Sequence, residues 1–501
     1  MALDLPVELW LHILELLPKH YLRKMMGINR TLFELATNDM YQEIRFIDDG
    51  KEMVRIFDQL KYPHISRRVR HLYIRPGFFS RMDSVNLVQV KPKERPRGNG
   101  WKKLLCFSVD ILTKSSRRKK YLGSRERDIL AVAQDTLVHF QRVEELSIVL
   151  YDLLPPPTFP NFVREIWINL GPKLHRLNID ATLVKLPLIF DPNMAHHLPN
   201  LMELDIRLSV SRFPYVPQRT SLVRQTILPF ILSLKGTLES LSLSSAEISD
   251  LSPLFHGLGY FPHLRKLDLR VVMNCLTLSD PAALTSFITL HKDNLQELSM
   301  RAHHHTPLNN PSDVSYETWI TKTLPQIKFP ALVSLTVGLH AGYHSSRTII
   351  PQLSSKKLPS LVFVTLKDAP LSHDDVKTVL EHAGEFLPWQ TLRLNLTQLT
   401  PLLIDTLAAG LPHLAELDMT CGQVSADLDP SPYFSRPHLF KQEMDSRTYP
   451  GWSLRRLRIA VISYECGQPH VDLNYMSYVA HCLPLAVSFL VDDSCFCKVV
   501  G

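Results

Sequence analysis

One phrase recurs along this chain and limits what it can fold into: Pro-x-Leu-x-x-aliphatic-x-aliphatic, starting at Pro172, Pro199, Pro262, Pro330, Pro359 and Pro412. At this proline content about one such match is expected by chance, so the repetition is real. Its shorter core, aliphatic-x-x-aliphatic-x-aliphatic, recurs at Val143/Leu146/Ile148, Leu174/Leu177/Ile179, Leu201/Leu204/Ile206, Leu238/Leu241/Leu243 and Leu264/Leu267/Leu269. It continues at Leu295/Leu298/Met300, Leu332/Leu335/Val337, Leu361/Val364/Leu366, Leu414/Leu417/Met419 and Leu454/Leu457/Ile459, and Trp389/Leu392/Leu394 is a copy led by an aromatic. The short core alone proves little, because about a dozen copies would arise by chance. Val163/Ile166/Ile168 is such an accident, since it lies inside a helical pattern.

The spacing extends the inference. Starts fall 27 residues apart (174 to 201), 26 (238 to 264), 31 (264 to 295), 29 (332 to 361) and 25 (389 to 414). Helix-like segments lie between them, over 221–234, 281–291, 315–324, 374–386 and 400–409. A short strand followed by a helix at this period is the signature of a leucine-rich-repeat horseshoe. One unit cannot cover its own apolar face, so neighbours stack and share a continuous core. The parallel strands then line the concave side and the helices the convex side. The Asn expected shortly after each strand is missing, with Ala246, Val272, Ala369 and Gly422 in its place, so the repeats are degenerate. A globular α/β domain is the competing fold. No Gly-rich phosphate loop follows any strand, which weakens its nucleotide-binding version.

Residues 5–17 pose a different constraint. Pro6 suits a first helical turn, where its missing N–H would go unpaired anyway. From Val7 to Leu17 the only polar residues are Glu8, His12 and Glu15, on one stripe. A helix apolar on nearly every other side needs a second cover besides its own domain, and another protein is expected to provide it. After Pro18 come Leu22, Met25, Met26 and Ile28 as a short second helical pattern. Asn29 then stands as an N-cap before a third amphipathic stretch running to about Phe46.

The opening Leu5-Pro6-x-Glu8-Leu9, then Ile13-Leu14-x-x-Leu17-Pro18, Leu22, Ile28-Asn29-Arg30, Phe33 and Leu35 resemble the F-box. The resemblance covers residues 3–46. Ile28-Asn29-Arg30 and Phe33 stand where many family members carry Val-Cys-Arg and a Trp, and these swaps keep apolar bulk. The family docks on the Skp adaptor of a cullin–RING ubiquitin ligase, and the rest of such a protein selects the substrate. The resemblance therefore implies a non-catalytic adaptor subunit, with the Skp contact on Leu5, Pro6, Leu9, Ile13, Leu17 and Leu22. The plainer alternative is a helical cap on the following domain.

No apolar run approaches the roughly 18 residues of a membrane span. Asp4 and Glu8 replace the basic n-region of a signal peptide. Seven scattered cysteines fit free thiols in a reducing compartment, cytoplasmic or nuclear, rather than a disulfide framework. Residues 91–127 carry thirteen Lys or Arg against Glu94, Asp110 and Glu126, a net of +10, whereas the whole chain is +7 and the remainder therefore −3. The segment reads as a solvated, flexible insertion. Nuclear import through Arg117–Lys120 and contact with phosphate backbones are the functional alternatives. Trp101 and Tyr121 offer few aromatic rings for base stacking.

No catalytic constellation emerges, and no cofactor or metal is expected. His303-His304-His305 and His196-His197 point in different directions with no Cys or carboxylate at a ligand spacing. Cys495-Phe-Cys497 is a lone pair of small apolar residues. If the horseshoe holds, the residue after each unit's last aliphatic faces the concave surface, giving a broken basic ladder of Arg207, Arg270, Arg301 and Lys367. Such a ladder suits an acidic or phosphorylated substrate segment. A solvated face balanced by Asp205, Asp268 and Asp418 is the plainer reading.

The expected organisation is α/β: a three-helix F-box over 1–47, a connecting region with a first strand-like unit over 48–90, the basic insertion over 91–127, and an irregular leucine-rich-repeat-like solenoid with parallel strands over 128–501. The partners implied are a Skp-type adaptor, through it a cullin–RING ligase, and an unidentified protein substrate, with no membrane. A non-ligase scaffold, tethered by its basic insertion to nucleic acid or an acidic surface, is the alternative function.

Overall fold

The computed structural model describes residues 6–15, 21, 24–25, 27–28, 30–47, 51–75, 133–150, 158–190, 196–210, 219–247, 249–272, 276–303, 326–338, 361–383, 389–427, 437–462, 469–483, 488–491 and 494–497. The basic insertion and the expected helix over 315–324 lie outside them. The chain divides into two compact units, Met1–Pro214 and Tyr215–Gly501.

In the first unit, strands β1 (Glu43–Phe46), β2 (His71–Ile74), β3 (Glu145–Leu150), β4 (Arg176–Ala181) and β5 (Glu203–Leu208) pair in chain order, each parallel to the next. Their register aligns the repeat: Ile44, Leu72, Leu146, Leu177 and Leu204 form one row, and Phe46, Ile74, Ile148, Ile179 and Ile206 the next. Every residue of both rows is buried. The positions between them are exposed or half-buried, the alternation of a sheet with one wet face. Parallel sheets are usually covered on both faces and read as continuous apolar runs. Alternation along parallel strands therefore marks a stacked repeat with one face left open.

A shared backbone device stacks the repeats. The carbonyl just before each strand accepts two successive N–H groups from the next repeat: Gln42 O from Arg70 and His71, Arg70 O from Glu144 and Glu145, Glu144 O from His175 and Arg176. The second unit repeats it, as at Glu239 O, Arg265 O, Gln296 O and Gln390 O. Each of these carbonyls thus accepts two hydrogen bonds, which ties the entry of each such strand to the repeat before it.

The second unit runs β6 (Ser240–Ser245), β7 (Lys266–Val271), β8 (Glu297–Ala302), β9 (Ser334–Gly338), β10 (Phe363–Leu371), β11 (Thr391–Leu399), β12 (Glu416–Val424) and β13 (Arg456–Ile462), again parallel and in chain order. The order then breaks. Strand β14 (Pro469–Val471) lies antiparallel to β13, β15 (Ser488–Val491) parallel to it, and β16 (Ser494–Cys497) antiparallel to β15. Only two residues join β15 to β16, too few for the crossover a parallel pair needs. All eleven repeats of the short core become strands β3 to β13, and Val163/Ile166/Ile168 falls in the helix Phe159–Leu170, as its pattern indicates.

At the N-terminal side, α1 (Val7–Glu15) starts where Pro6 places it, with the Leu9 and Trp10 N–H groups donating to the Pro6 carbonyl at 3.1 and 3.2 Å. Helix α2 (Arg30–Tyr41) approaches α1 and buries Leu32, Ala36 and Thr37. It does not run to Phe46 as expected from the sequence. Ile44 and Phe46 alternate inward and take up the β2 ladder, so the segment becomes β1. Helix α3 (Lys51–Leu60) follows, and its Phe57 packs edge-on against Phe46 at 4.9 Å.

In the second unit the helices alternate with strands: α4 (Ser252–Leu258), α5 (Pro281–His291), α6 (His373–Ala383), α7 (Pro401–Gly410), α8 (Pro437–Asp445) and α9 (Leu473–His481). Asp280, Thr400 and Asp472 cap α5, α7 and α9 by accepting from Ala282 N, Leu403 N and Asn474 N, and Pro281 and Pro401 fill the first turn.

Candidate functional site

Two surfaces stand out. The first is the N-terminal helical segment. Among the sequence-derived adaptor residues, Pro6 is exposed, Leu9 is 47% exposed and Ile13 half-buried. Leu5, Leu17 and Leu22 lie outside the described residues. Glu8 and His12 are exposed, as their shared stripe requires, and Trp10 is half-buried. Ile28, at 58%, and Phe33, at 47%, add exposed apolar surface in the same segment. Each is a large side chain left in water while strands β1 to β5 bury their own core.

The second surface is the open face of the strands in the second unit. A shallow cleft of about 250 Å³ runs across β7 to β11, its walls formed by Lys266, Asp268, Glu297, Arg301, Thr336 and Arg393. These residues come from the first, third and fifth strand positions, which in-register parallel pairing sets side by side. Lys266 pairs with Glu297 at 2.8 Å, and Arg301 Nη2 with Asp268 Oδ2 at 3.3 Å. Farther along, Glu416 sits between Arg393 (3.3 Å) and Arg456 (2.6 Å), and Asp418 between Arg458 (2.9 Å) and Arg393 (4.0 Å). The face is therefore a cross-strand ladder of alternating charge.

The four basic residues read from the sequence fare unevenly. Arg270 and Arg301 are register partners on β7 and β8. Arg301 is held by Asp268, and its Nε and Asp268 Oδ1 are buried without hydrogen-bond partners. Arg207 belongs to the first unit and pairs with Asp205 of its own strand at 2.8 Å. Lys367 falls where the β10–β11 register shifts, between Leu366 and Leu371, and its side chain lies outside the described residues. Reasoning on one strand position missed Arg393, Arg456 and Arg458. They sit at earlier outward positions of β11 and β13, and the period-2 rule applied to every outward residue of every strand would have found them.

Other sequence candidates disperse. The His196 and His197 rings lie 4.0 Å apart, tilted by 39°, and burial holds His197 below its ordinary pKa, helped by the neighbouring His196 and Arg164. His304 and His305 lie outside the described residues. Cys421 and Cys482 are buried free thiols, pushed up by burial to about 12 and about 11, so neither is a ready nucleophile. Among the described residues, no three His, Cys, Asp or Glu group closely enough to hold a metal, and no helix is long and apolar enough to cross a membrane.

The fold defines an α/β protein of repeated parallel strand-and-helix units with one open, charged face. Comparison with protein-family models and with curated proteins returned no match to the chain.

Proposed function

We propose that this chain is the substrate-recognition subunit of a Skp–cullin–F-box ubiquitin ligase, its N-terminal helices forming an F-box and its strands a degenerate leucine-rich-repeat solenoid. In this reading α1 docks on a Skp-type adaptor, and the open face of the second unit holds a protein substrate near the ligase's conjugating partner. The chain itself contributes no catalytic residue. It acts in the cytoplasm, the nucleus or both.

The observation that carries the reading is the exposure of Leu9 on α1 and of Pro6 just before it. Both belong to the opening motif that resembles the F-box, and burying a leucine of this kind contributes roughly 1.5–3 kcal/mol to an interface. The charged ladder on β7 to β13 supports a polar, extended substrate segment, because most of its cations are already paired with carboxylates and selectivity would come from charge order.

The experiment is affinity capture of the full chain with a purified Skp-type adaptor, alongside Pro6→Ala/Leu9→Ala. Both side chains face water, so the variant keeps its fold. Capture by the parent and its loss in the variant is the expected result. Equal recovery of the adaptor by both proteins, or by neither, would overturn the reading.

A further inference from the structure

The first unit carries a cavity of about 450 Å³ whose wall is basic: Arg67, Arg68, Arg70 and Arg142, with His64 and the amides of Asn38 and Gln42. It forms where three successive repeats stack. Asn38 and Gln42 come from the end of α2 and the turn after it, His64 to Arg70 from the segment leading into β2, and Arg142 from the segment leading into β3. The backbone fixes these three segments against one another, since Gln42 O accepts from the Arg70 and His71 N–H groups and Arg70 O from those of Glu144 and Glu145.

The four arginines are not equivalent. Arg68 is an anchor: its Nε donates to the His64 carbonyl at 3.0 Å, and its terminal nitrogens bond the Asn38 side chain, the Glu34 carbonyl and the Glu34 carboxylate. Arg70 pairs with Glu144 at 2.8 Å. Among the described residues Arg67 has only a neutral partner, donating to Gln141 Oε1 at 3.1 Å. Arg142 has no carboxylate partner among the described residues. Among the described residues four guanidinium groups thus face two carboxylates, leaving two positive charges, and Glu34 and Glu144 stand outside the lining.

A concave site with a surplus of two charges, two exposed guanidinium forks and two amide side chains matches an oxyanion with several acceptor oxygens. A phosphate monoester carries about −1.5 to −2 charges near neutral pH and three terminal oxygens. Planar guanidinium forks bind such groups bidentately, an arrangement a lysine patch would not supply. The volume also leaves room for the organic part of an ester. We propose that this cavity binds a phosphate-monoester dianion, with Arg67 and Arg142 as its ligands and Arg68 as the positioning residue that holds the wall. The proposal stands apart from the reading of α1 as an adaptor contact.

The test is isothermal titration of the full chain at constant ionic strength with inorganic phosphate, O-phosphoserine and malonate, repeated on Arg67→Ala/Arg142→Ala. Lys441→Ala serves as a control, being an exposed basic residue outside the cavity that pairs with Asp445 of its own helix. The expected result is saturable binding of a phosphate species, weakened at least about tenfold in the double variant and unchanged in Lys441→Ala. Tighter binding of O-phosphoserine assigns the site to an ester, and tighter binding of inorganic phosphate assigns it to the free ion. Heats that do not saturate, equal affinity in the double variant, or malonate binding as tightly as either phosphate would overturn the proposal.

Discussion

The ring of His291 accepts a hydrogen bond from the backbone N–H of Phe261 through Nε2, at 2.8 Å. Its Nδ1 lies 2.7 Å from the Phe287 carbonyl and can only donate there, so the fold requires the neutral ring with the proton on Nδ1. The residue is 1% exposed and lies among Phe261, Phe287 and Tyr260. It is a structural histidine joining α5 to the loop before β7.

Burial holds His291 below its ordinary pKa, only partly offset by the Phe287 carbonyl. The unfolded ring takes up a proton below about 6.5, whereas the folded ring resists it. Stability from this group is therefore complete above that pH and falls as pH drops from about 6.5 towards the lowered folded value. Urea midpoints measured between pH 7.5 and 5 should decline. His291→Gln should flatten the decline and cost about 1–3 kcal/mol at pH 7.5 through the Phe261 N–H it leaves poorly served.

Gly171 ends the helix Phe159–Leu170 where another loop crosses it. A Cβ built there would stand 2.5 Å from the His197 carbonyl oxygen, a backbone atom that cannot swing aside. Gly171→Ala should destabilise the protein by about 1–3 kcal/mol, read as a lower thermal midpoint. Gly236→Ala, where a Cβ would meet nothing within 4 Å, serves as the control.

Glu416 is buried between Arg393 and Arg456. Removing the carboxylate takes from Arg456 its ion-pair partner among the described residues and leaves Arg393 only the more distant Asp418, whereas removing Arg456 leaves Arg393 to balance Glu416. Glu416→Ala should therefore cost about 1–3 kcal/mol, and Arg456→Ala less than about 1 kcal/mol. Denaturant titrations of the two variants decide the order, and equal losses would contradict it.

The repeat was written clearly in the chain because its period matches its physics. Leu267 and Leu269 point inward at strand spacing, and each lies in register with its neighbours' aliphatics, so one sequence template served all eleven units. Helix α5 coincides with its expected span because Asp280 and Pro281 mark its start unambiguously. Strand β1 went unread, whereas β2 falls within the 48–90 stretch expected to hold a first strand-like unit; Val69/Leu72/Ile74 fits the short core, and Tyr41/Ile44/Phe46 keeps only its spacing, with aromatics at both ends. Strand β1 follows the helical pattern of α2 after a single residue, and periodicity over four residues cannot separate strand from helix. The charged ladder was only half visible. A one-position reading finds Arg270 and Arg301, but which carboxylate neutralises which arginine depends on register, and a bulge such as that after Leu366 shifts it without any sequence mark.

The account rests on α1 presenting its apolar side to an adaptor. Hydrogen–deuterium exchange of the full chain, with and without saturating Skp-type adaptor, tests this directly. Slowed exchange over Val7–Glu15, with β7 to β9 unchanged, is the result expected. Unaltered exchange across α1 in the presence of the adaptor would contradict it.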